Sequence, residues 1–332
     1  MLKSASKVTI NTGNVLNLID IKKKAGQNVT EELSESIKLT LSEWGSQNSF
    51  VNQNGTTNKA QTSQNDSEYM VIQSGTTERE TVLNITRPQD DVHLKMAEEE
   101  RKNLKIGVKI FINEDSTTAL KECLENVFQA LQTDYIDNVT LSYNPDIPPP
   151  LNNDVTLTNN HHTKSSPILV GTTLVKANSD VEPDNEFDAR KCEAILPGIK
   201  ILWEVLEEYV KNEKVCQLGV ADVGDGCLRK LHAWAVVKPS IAQISLASCC
   251  VVPPSLHHFT RTHDVQLLTH ADPPDLLSQA AVRTLSEAGV CCRELEWCAR
   301  YQVHIKCRGV LALKGYVCKG TIANQETPKL TE

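Results

Sequence analysis

The chain has 332 residues, of which 40% are hydrophobic and only 5% aromatic. It is long enough for one large domain, whose core must consist mainly of Leu, Ile and Val. The formal net charge of −8 argues against a nucleic-acid-binding surface. No segment approaches the roughly 18 to 20 apolar residues that a membrane-spanning helix needs. We therefore expect neither nucleic acid nor a membrane as a partner.

The first residues of the chain lack the apolar stretch of a secretory signal, so we expect a cytoplasmic protein. Its eleven cysteines would remain thiols in that reducing environment. Four potential ligands lie near one another in the sequence: Cys291, Cys292, Cys298 and His304. Because they lack the paired Cys-x2-Cys spacing of a structural zinc site, we predict no metal site.

An amphipathic helix is predicted over residues 30–44, because apolar residues recur there at helical spacing. Asn, Gln, Ser and Thr dominate the residues that follow. Such a segment cannot bury enough apolar surface to offset the entropy of ordering. We predict a flexible polar insert over residues 45–100, with regular structure resuming at residue 104.

The next part of the chain predicts a strand over residues 104–112, a helix over 117–131 and a strand over 135–141. A second polar segment follows and contains three consecutive prolines at 148–150. Loops this long in a compact domain are usually functional or disordered. We predict that residues 144–188 form a second flexible insert.

Helices and short apolar strands alternate from residue 199 onward. The helices are predicted over 199–210 and about 228–235, and the strands over 215–220, 241–247 and 264–269. A further helix is predicted to open at 272–275, where Asp272 would be the N-cap and prolines would occupy the first turn.

This alternation is typical of parallel strands joined by right-handed crossovers. A closed (β/α)8 TIM barrel is the simplest α/β fold that satisfies it. We predict that residues 1–332 form one barrel domain from which the inserts 45–100 and 144–188 project.

Several strand motifs resemble those of aldo-keto reductases. They are LQTDYID at 131–137, KVCQLGV at 214–220, and AQI at 242–244 after Lys238-Pro239. The resemblance implies the eight-stranded barrel of that superfamily. Other segments resemble the regulatory (modifier) subunits of glutamate–cysteine ligase, the first enzyme of glutathione synthesis. These segments are NTGN at 11–14, LTLSEW at 39–44, SLASCCVVPP at 245–254, LLTHADP at 267–273 and KCRG at 306–309.

The resemblance to reductases does not extend to their catalytic set of Asp, Tyr, Lys and His. In those enzymes the Tyr donates the proton, and the Lys and Asp lower its pKa. Here the matching Lys is Lys109, but Ser142 stands at the His position. The Asp-Thr-Ala stretch with its following Tyr has no counterpart between residues 44 and 104. We therefore predict no catalytic residues.

Several cofactor-binding positions of the reductases also carry different residues in this chain. Ala221-Asp222 replaces the Ser-Asn pair that follows the fifth strand, and His270 replaces the Tyr that stacks on nicotinamide. The resemblance implies a vestigial site made of Lys109, Gln243, His270, Lys306 and Arg308. We expect no cofactor, or at most weak NADPH binding.

The resemblance implies a non-catalytic regulatory protein rather than an enzyme. Such a subunit forms a heterodimer with the catalytic subunit of glutamate–cysteine ligase, raises its affinity for glutamate and loosens feedback by glutathione. The alternative function is that of a divergent NADPH-dependent aldo-keto oxidoreductase. The missing Tyr and His argue against it.

One block of the resemblance is a candidate for contact with the partner. Cys249, Cys250, Pro253 and Pro254 follow the sixth predicted strand, so they would lie at the carboxyl face of a barrel. Adjacent cysteines bridge each other only with strain. The pair is a candidate for an intersubunit disulfide or a redox sensor at the interface. The alternative is a purely structural loop that carries two ordinary thiols.

Overall fold

The computed structural model describes residues 6–18, 29–51, 81–146, 183–245, 252–273, 276–277, 279–287, 290 and 292–322. These ranges contain nine strands and seven α-helices, which confirms the α/β class. None of the helices within them is long and apolar enough to cross a membrane.

The strands are β1 (Lys7–Asn11), β2 (Val82–Thr86), β3 (Leu104–Ile112), β4 (Ile136–Tyr143), β5 (Val215–Ala221), β6 (Ile241–Ser245), β7 (Gln266–His270), β8 (Cys292–Ile305) and β9 (Val310–Ile322). The helices are α1 (Val29–Val51), α2 (Val92–Ala97), α3 (Thr117–Leu131), α4 (Pro183–Lys211), α5 (Asp225–Trp234), α6 (Pro254–Thr262) and α7 (Gln279–Glu287). Two short 3-10 helices cover Val15–Asn17 and Arg101–Asn103.

All nine strands form one sheet in the order β2-β1-β9-β8-β3-β4-β5-β6-β7. The strands from β3 to β7 are parallel neighbours, as the alternation of elements predicts. By contrast, β8 and β9 form an antiparallel hairpin inserted between β1 and β3. In the part of the chain that the structure describes, β2 and β7 are the two edges of the sheet, so the predicted barrel is not closed there.

The sheet is nevertheless strongly curled. In a flat sheet, β3 and β7 would lie about 19 Å apart, because neighbouring strands are about 4.8 Å apart. Yet Lys109 on β3 places its Nζ 2.7 Å from Oδ2 of Asp272, two residues beyond β7. The carboxyl ends of the parallel strands therefore converge on one interior.

Two apolar clusters hold the fold together, and aliphatic residues dominate both. The larger cluster packs helices α3 to α6 against the sheet, and Leu124, Trp203 and Leu231 are fully buried in it. The smaller lies beneath α1 and α7 and includes Leu33 and Leu285. Burying one such aliphatic side chain contributes about 1.5–3 kcal/mol, so these helix faces anchor the sheet.

The two predicted inserts span fewer residues in the structure than the sequence analysis predicts, because regular structure extends into both ranges. Helix α1 continues to Val51, and β2 and α2 both lie within the range 45–100. Strand β2 is short and only Ile85 on it is fully buried, so its apolar alternation is too weak to recognise. Likewise, α4 begins at Pro183 and not after residue 188. The remainder of each insert, 52–80 and 147–182, lies outside the described residues.

The predicted start of the last helix is wrong. Helix α7 begins at Gln279, and the Asp272 carboxylate binds side chains in the interior instead of capping a helix. The hairpin of β8 and β9 was not predicted, because Trp297, Cys298 and Ala299 are buried in succession. A strand covered on both faces gives no alternating pattern.

Candidate functional site

Five ionisable side chains converge at the carboxyl ends of the parallel strands, and we call them the carboxyl-end cluster: Lys109, Asp222, His270, Asp272 and Arg300. The sheet brings the two cations together, because Lys109 on β3 lies directly opposite Arg300 on β8. Asp222 follows β5 in a left-handed conformation with φ of 58°, and His270 ends β7.

Asp272 is the centre of this cluster. Its carboxylate accepts a hydrogen bond from Lys109 Nζ at 2.7 Å and two from the guanidinium of Arg300, of which the one from Nη2 is 3.0 Å long. Burial raises the pKa of Asp272, but the hydrogen bonds and charges of Arg300 and Lys109 outweigh burial and lower it to about 2. Asp272 is therefore an anion that offsets two buried cations.

His270 links Asp272 to the second carboxylate. The amide of Asp272 donates to Nδ1 of His270 at 3.1 Å, and Nε2 lies 3.0 Å from Oδ1 of Asp222. Since Nδ1 accepts, the proton of a neutral ring belongs on Nε2, where it is donated to Asp222. Both ring nitrogens are thus engaged within the protein.

Lys109 is poorly suited to the role it has in reductases. Burial lowers its pKa, and its ammonium group is committed to Asp272. A reductase also needs a tyrosine of lowered pKa beside this lysine. Every described tyrosine whose pKa shifts is shifted upward, chiefly by burial: Tyr143, Tyr209, Tyr301 and Tyr316.

Tyr316 is a strand neighbour of the cluster, because it lies opposite Arg300 on β9. Its hydroxyl donates to Glu32 Oε1 at 2.5 Å, and Glu32 also pairs with Lys314 at 2.6 Å. Burial raises the pKa of Tyr316 well above 10. This hydroxyl therefore holds its proton in a structural contact with α1.

Of the residues predicted to form a vestigial cofactor site, three lie at this end of the sheet: Lys109, Gln243 and His270. Gln243 on β6 is half-buried, and its main-chain oxygen accepts from the amide of Asp222 at 2.9 Å. Its Oε1 is buried without a hydrogen-bond partner among the described residues.

The two remaining residues, Lys306 and Arg308, lie at the opposite end of the sheet. They occupy the turn between β8 and β9, where the amide of Lys306 donates to Asn103 just before β3. Lys109 lies six residues after Asn103 along the extended chain, which corresponds to about 20 Å. Lys306 pairs with Asp137 at 3.3 Å and Arg308 with Glu99 at 2.6 Å.

The five predicted residues therefore do not share one site. Because β8 is antiparallel to β3, the hairpin carries Lys306 and Arg308 to the amino ends of the parallel strands. A parallel eighth strand would instead have placed them at the carboxyl ends. An ion pair with Asp272 also occupies Lys109, and a hydrogen bond to Asp222 occupies His270. The residues present do not fit the NADPH site that the resemblance implies.

The predicted partner-contact block is described only in part. Cys249 and Cys250 lie outside the described residues. Pro253 precedes α6 and Pro254 is its first residue, and both are exposed at the carboxyl end of the sheet. A partner contact at these four residues stays a prediction.

Sequence reasoning missed Asp222, Asp272 and Arg300 as members of the cluster. The signal for Asp272 was present, because a lysine in a buried strand requires a counter-charge. Its neighbouring prolines instead favoured the interpretation as a helix cap. Arg300 carried no such signal, because the pairing of β8 with β3 is not visible in the sequence.

Comparison with known proteins shows similarity over almost the whole chain. The glutamate–cysteine ligase regulatory subunit of Mus musculus is 28% identical over 323 residues, which cover 96% of this chain and 93% of that protein. The regulatory subunit of Homo sapiens is 27% identical over the same shares. A putative regulatory subunit of Schizosaccharomyces pombe is 30% identical over 125 residues, or 36% of this chain and 43% of that protein.

Other comparisons add little. No family model matches the chain. An aldose reductase from Giardia lamblia covers 53% of this chain and 48% of its own, with 15% identity and a TM-score of 0.32. A TM-score this low does not establish a common fold.

The fold and the site define an α/β protein in which paired charges fill the carboxyl end of a curled sheet. The particular proteins that it resembles are the regulatory subunits of glutamate–cysteine ligase. That resemblance, inferred from the sequence motifs, is confirmed by the full-length similarity.

Proposed function

We propose that this chain is a non-catalytic regulatory subunit that joins the catalytic subunit of glutamate–cysteine ligase in a cytoplasmic heterodimer. It raises the affinity of that enzyme for glutamate and relieves its feedback inhibition by glutathione. The observation that carries this proposal is the similarity to named regulatory subunits over 96% of the chain and 93% of their length.

The carboxyl-end cluster supports a role without catalysis. Asp272 accepts hydrogen bonds from both Lys109 and Arg300, and His270 is held between two aspartates. A buried ion pair of this kind supports a structural role, since moving Lys109 away from Asp272 would leave a buried ammonium group without its partner. Regulation by this subunit requires no cofactor.

The curl of the sheet supports a barrel-like architecture derived from that of aldo-keto reductases. The contact between Lys109 and Asp272 closes the distance between β3 and β7 at their carboxyl ends. The same interior in a reductase would hold substrate. In this protein side-chain charges occupy it.

Activation follows if the subunit binds preferentially to the more active conformation of its partner. A change in glutamate affinity of several-fold requires only about 1–3 kcal/mol of coupling between the two binding events. The coupling is reciprocal, so glutamate strengthens the association of the two subunits by the same factor.

Co-elution of the two purified subunits in size-exclusion chromatography tests the proposal. We expect a complex with one copy of each subunit. Running the experiment with and without reductant shows whether a disulfide joins them. If the chain elutes alone at micromolar concentrations of both proteins, it is not a subunit of this ligase.

A further inference from the structure

Two cysteines meet where the long helix α4 packs against α5. Cys192 lies in α4, and Cys227 lies in the first turn of α5. Their side chains share a hydrogen bond, and their exposed fractions are only 3% and 2%. Both residues belong to the larger apolar cluster, and neither takes part in the carboxyl-end cluster. The fold thus holds two thiols in contact at the edge of its core.

The two sulfurs of this pair are not equivalent. Burial raises the pKa of the Cys227 thiol, and the hydrogen bond with Cys192 raises it further. The proton therefore stays on Cys227, which donates it to the sulfur of Cys192. Because a thiolate is the form that attacks a disulfide, Cys192 is the sulfur that reacts first and Cys227 the one that follows.

The part of α4 that carries Cys192 is weakly anchored. Between residues 189 and 197, only Cys192 and Ile195 are buried. Pro197 interrupts the helix directly after them, because it has no amide hydrogen to donate to the carbonyl of Glu193. Local opening is favoured where few buried apolar contacts coincide with a broken hydrogen-bond ladder. Opening of the turns before Pro197 exposes both thiols while the sheet stays folded.

Positive charges lie close to the pair. Burial has the largest effect on the pKa of Cys227, and the charges of Lys230 and Lys191 oppose that effect. Lys230 is exposed one turn further along α5, whereas the carboxylate of Asp225 is paired with Arg229. A positive field attracts an anionic reactant and repels a cationic one. The reactant that suits this pair is therefore a small disulfide that carries carboxylates.

We propose that Cys192 and Cys227 form a reversible intrachain disulfide by exchange with a small, carboxylate-bearing disulfide. In the first step the Cys192 thiolate attacks one sulfur of that disulfide, a mixed disulfide forms, and one small thiolate leaves and takes up a proton. In the second step Cys227 loses its proton and attacks the sulfur of Cys192, and the second small thiolate leaves and takes up a proton. The two protein thiols lose two electrons and two protons, which the small disulfide gains as it becomes two thiols.

The disulfide links the weakly anchored part of α4 to α5. Under reducing conditions the pair stays as two thiols, and it closes when the small disulfide accumulates. Closing fixes the turns before Pro197 against α5, and a small thiol in excess reverses it. The exchange needs only this chain, so its failure would leave the proposed function untouched.

The test is reaction of the full chain with oxidised glutathione, followed by acid quenching, alkylation of the remaining thiols and peptide mass spectrometry. The starting protein carries Cys216→Ser, because Cys216 and Cys227 fall on the same tryptic peptide, residues 215–229. We expect a cross-link between Cys192 and Cys227. Cys298 and Cys318 are the internal control, because they lie opposite each other on β8 and β9 but are fully buried in the sheet. They should stay reduced.

Single variants and a second reactant test the order of attack, the opening and the charge. Cys227→Ser should accumulate a mixed disulfide at Cys192, whereas Cys192→Ser should leave Cys227 as a free thiol. Pro197→Ala restores a helical hydrogen bond and should slow the cross-link at least threefold. Cystamine, a cationic disulfide, should react at least tenfold more slowly than oxidised glutathione. In concentrated urea the effects of Pro197→Ala and of reactant charge should disappear.

Three results would overturn the proposal. The first is the absence of the cross-link under conditions in which the exposed Cys307 acquires glutathione. The second is a cross-link that forms only in urea, and the third is oxidation of Cys298 and Cys318 at the same rate, since both would mean that the reaction requires global unfolding. If Cys227→Ser melts early, Cys227→Ala takes its place, because alanine leaves no hydroxyl group in the apolar site.

Discussion

At the scale of single residues, the charge balance around Asp272 is the most consequential feature. One carboxylate, with a side chain only 3% exposed, faces two buried cations. Removing its charge would leave Lys109 and Arg300 without their directly bonded counter-charge in the interior. The energetic cost of such a change is much larger than that of breaking a surface pair.

We therefore predict that Asp272→Asn lowers the free energy of unfolding by about 3–5 kcal/mol. Urea denaturation at neutral pH measures it. The matched control is Asp225→Asn, because Asp225 pairs with Arg229 at the surface one helical turn away, at 2.8 Å. That control should cost only about 0.3–0.5 kcal/mol. Equal effects of the two variants would mean that the cluster is not buried as described.

The same carboxylate predicts a dependence on pH. Its pKa in the folded protein is about 2, below its ordinary value of 3.8. A lowered pKa stabilises the folded state above the unfolded-state value, and this stabilisation is lost as pH falls toward the folded-state value. About 2 kcal/mol should be lost between about pH 4 and pH 2.

The measurement is the stability difference between the wild type and Asp272→Asn as a function of pH. The difference should be constant above about pH 5 and should shrink below pH 4. A difference that grows on acidification would show that Asp272 is protonated in the folded protein at neutral pH.

At the scale of elements, the sequence patterns predicted the strands and helices whose bounds depend on residues close together in the chain. The bounds of β3 and α3 were predicted correctly, because apolar residues alternate along most of β3 and α3 has a strong apolar face. The Ser116 side chain accepts from the amide of Ala119 at 3.2 Å and fixes the start of α3. Non-local pairings were not predictable: the hairpin of β8 and β9 pairs with β1 and β3, which lie far away in the sequence.

The candidate site was predictable only in part for the same reason. Lys109, Gln243 and His270 were found because motifs marked them. Their partners Asp272 and Arg300 depend on the curl of the sheet and on the register of β8. Lys306 and Arg308 were misplaced because the direction of the last strands cannot be inferred from composition or periodicity.

The two predicted polar inserts allow a test at the scale of elements. We predict that deleting residues 55–75 and 152–178 leaves folding and partner binding largely intact. These deletions stay clear of α1 and α4, which extend to Val51 and begin at Pro183. Loop length affects closure entropy weakly, by about 0.6 kcal/mol per doubling.

Thermal melting and the affinity for the catalytic subunit check this prediction, with each segment deleted separately. A deletion variant that aggregates would show that its segment contributes to the core. A variant that folds but no longer binds the ligase would assign the segment to the interface.

At the scale of the whole molecule, paired charges occupy the carboxyl end of the parallel strands. We predict no carbonyl reductase activity, since no tyrosine of lowered pKa lies beside Lys109 among the described residues. The assay is NADPH consumption with a panel of aldehydes. Turnover at rates typical of enzymes, lost in Lys109→Met, would overturn the prediction.

The central claim is that this chain regulates glutamate–cysteine ligase, and the rate of the ligase at varied glutamate concentration tests it most directly. Saturating amounts of the chain should lower the glutamate KM of the catalytic subunit several-fold, and should raise the glutathione concentration that halves its rate. These shifts correspond to about 1–3 kcal/mol of coupling. An unchanged KM and unchanged inhibition, with a complex demonstrably formed, would contradict the claim.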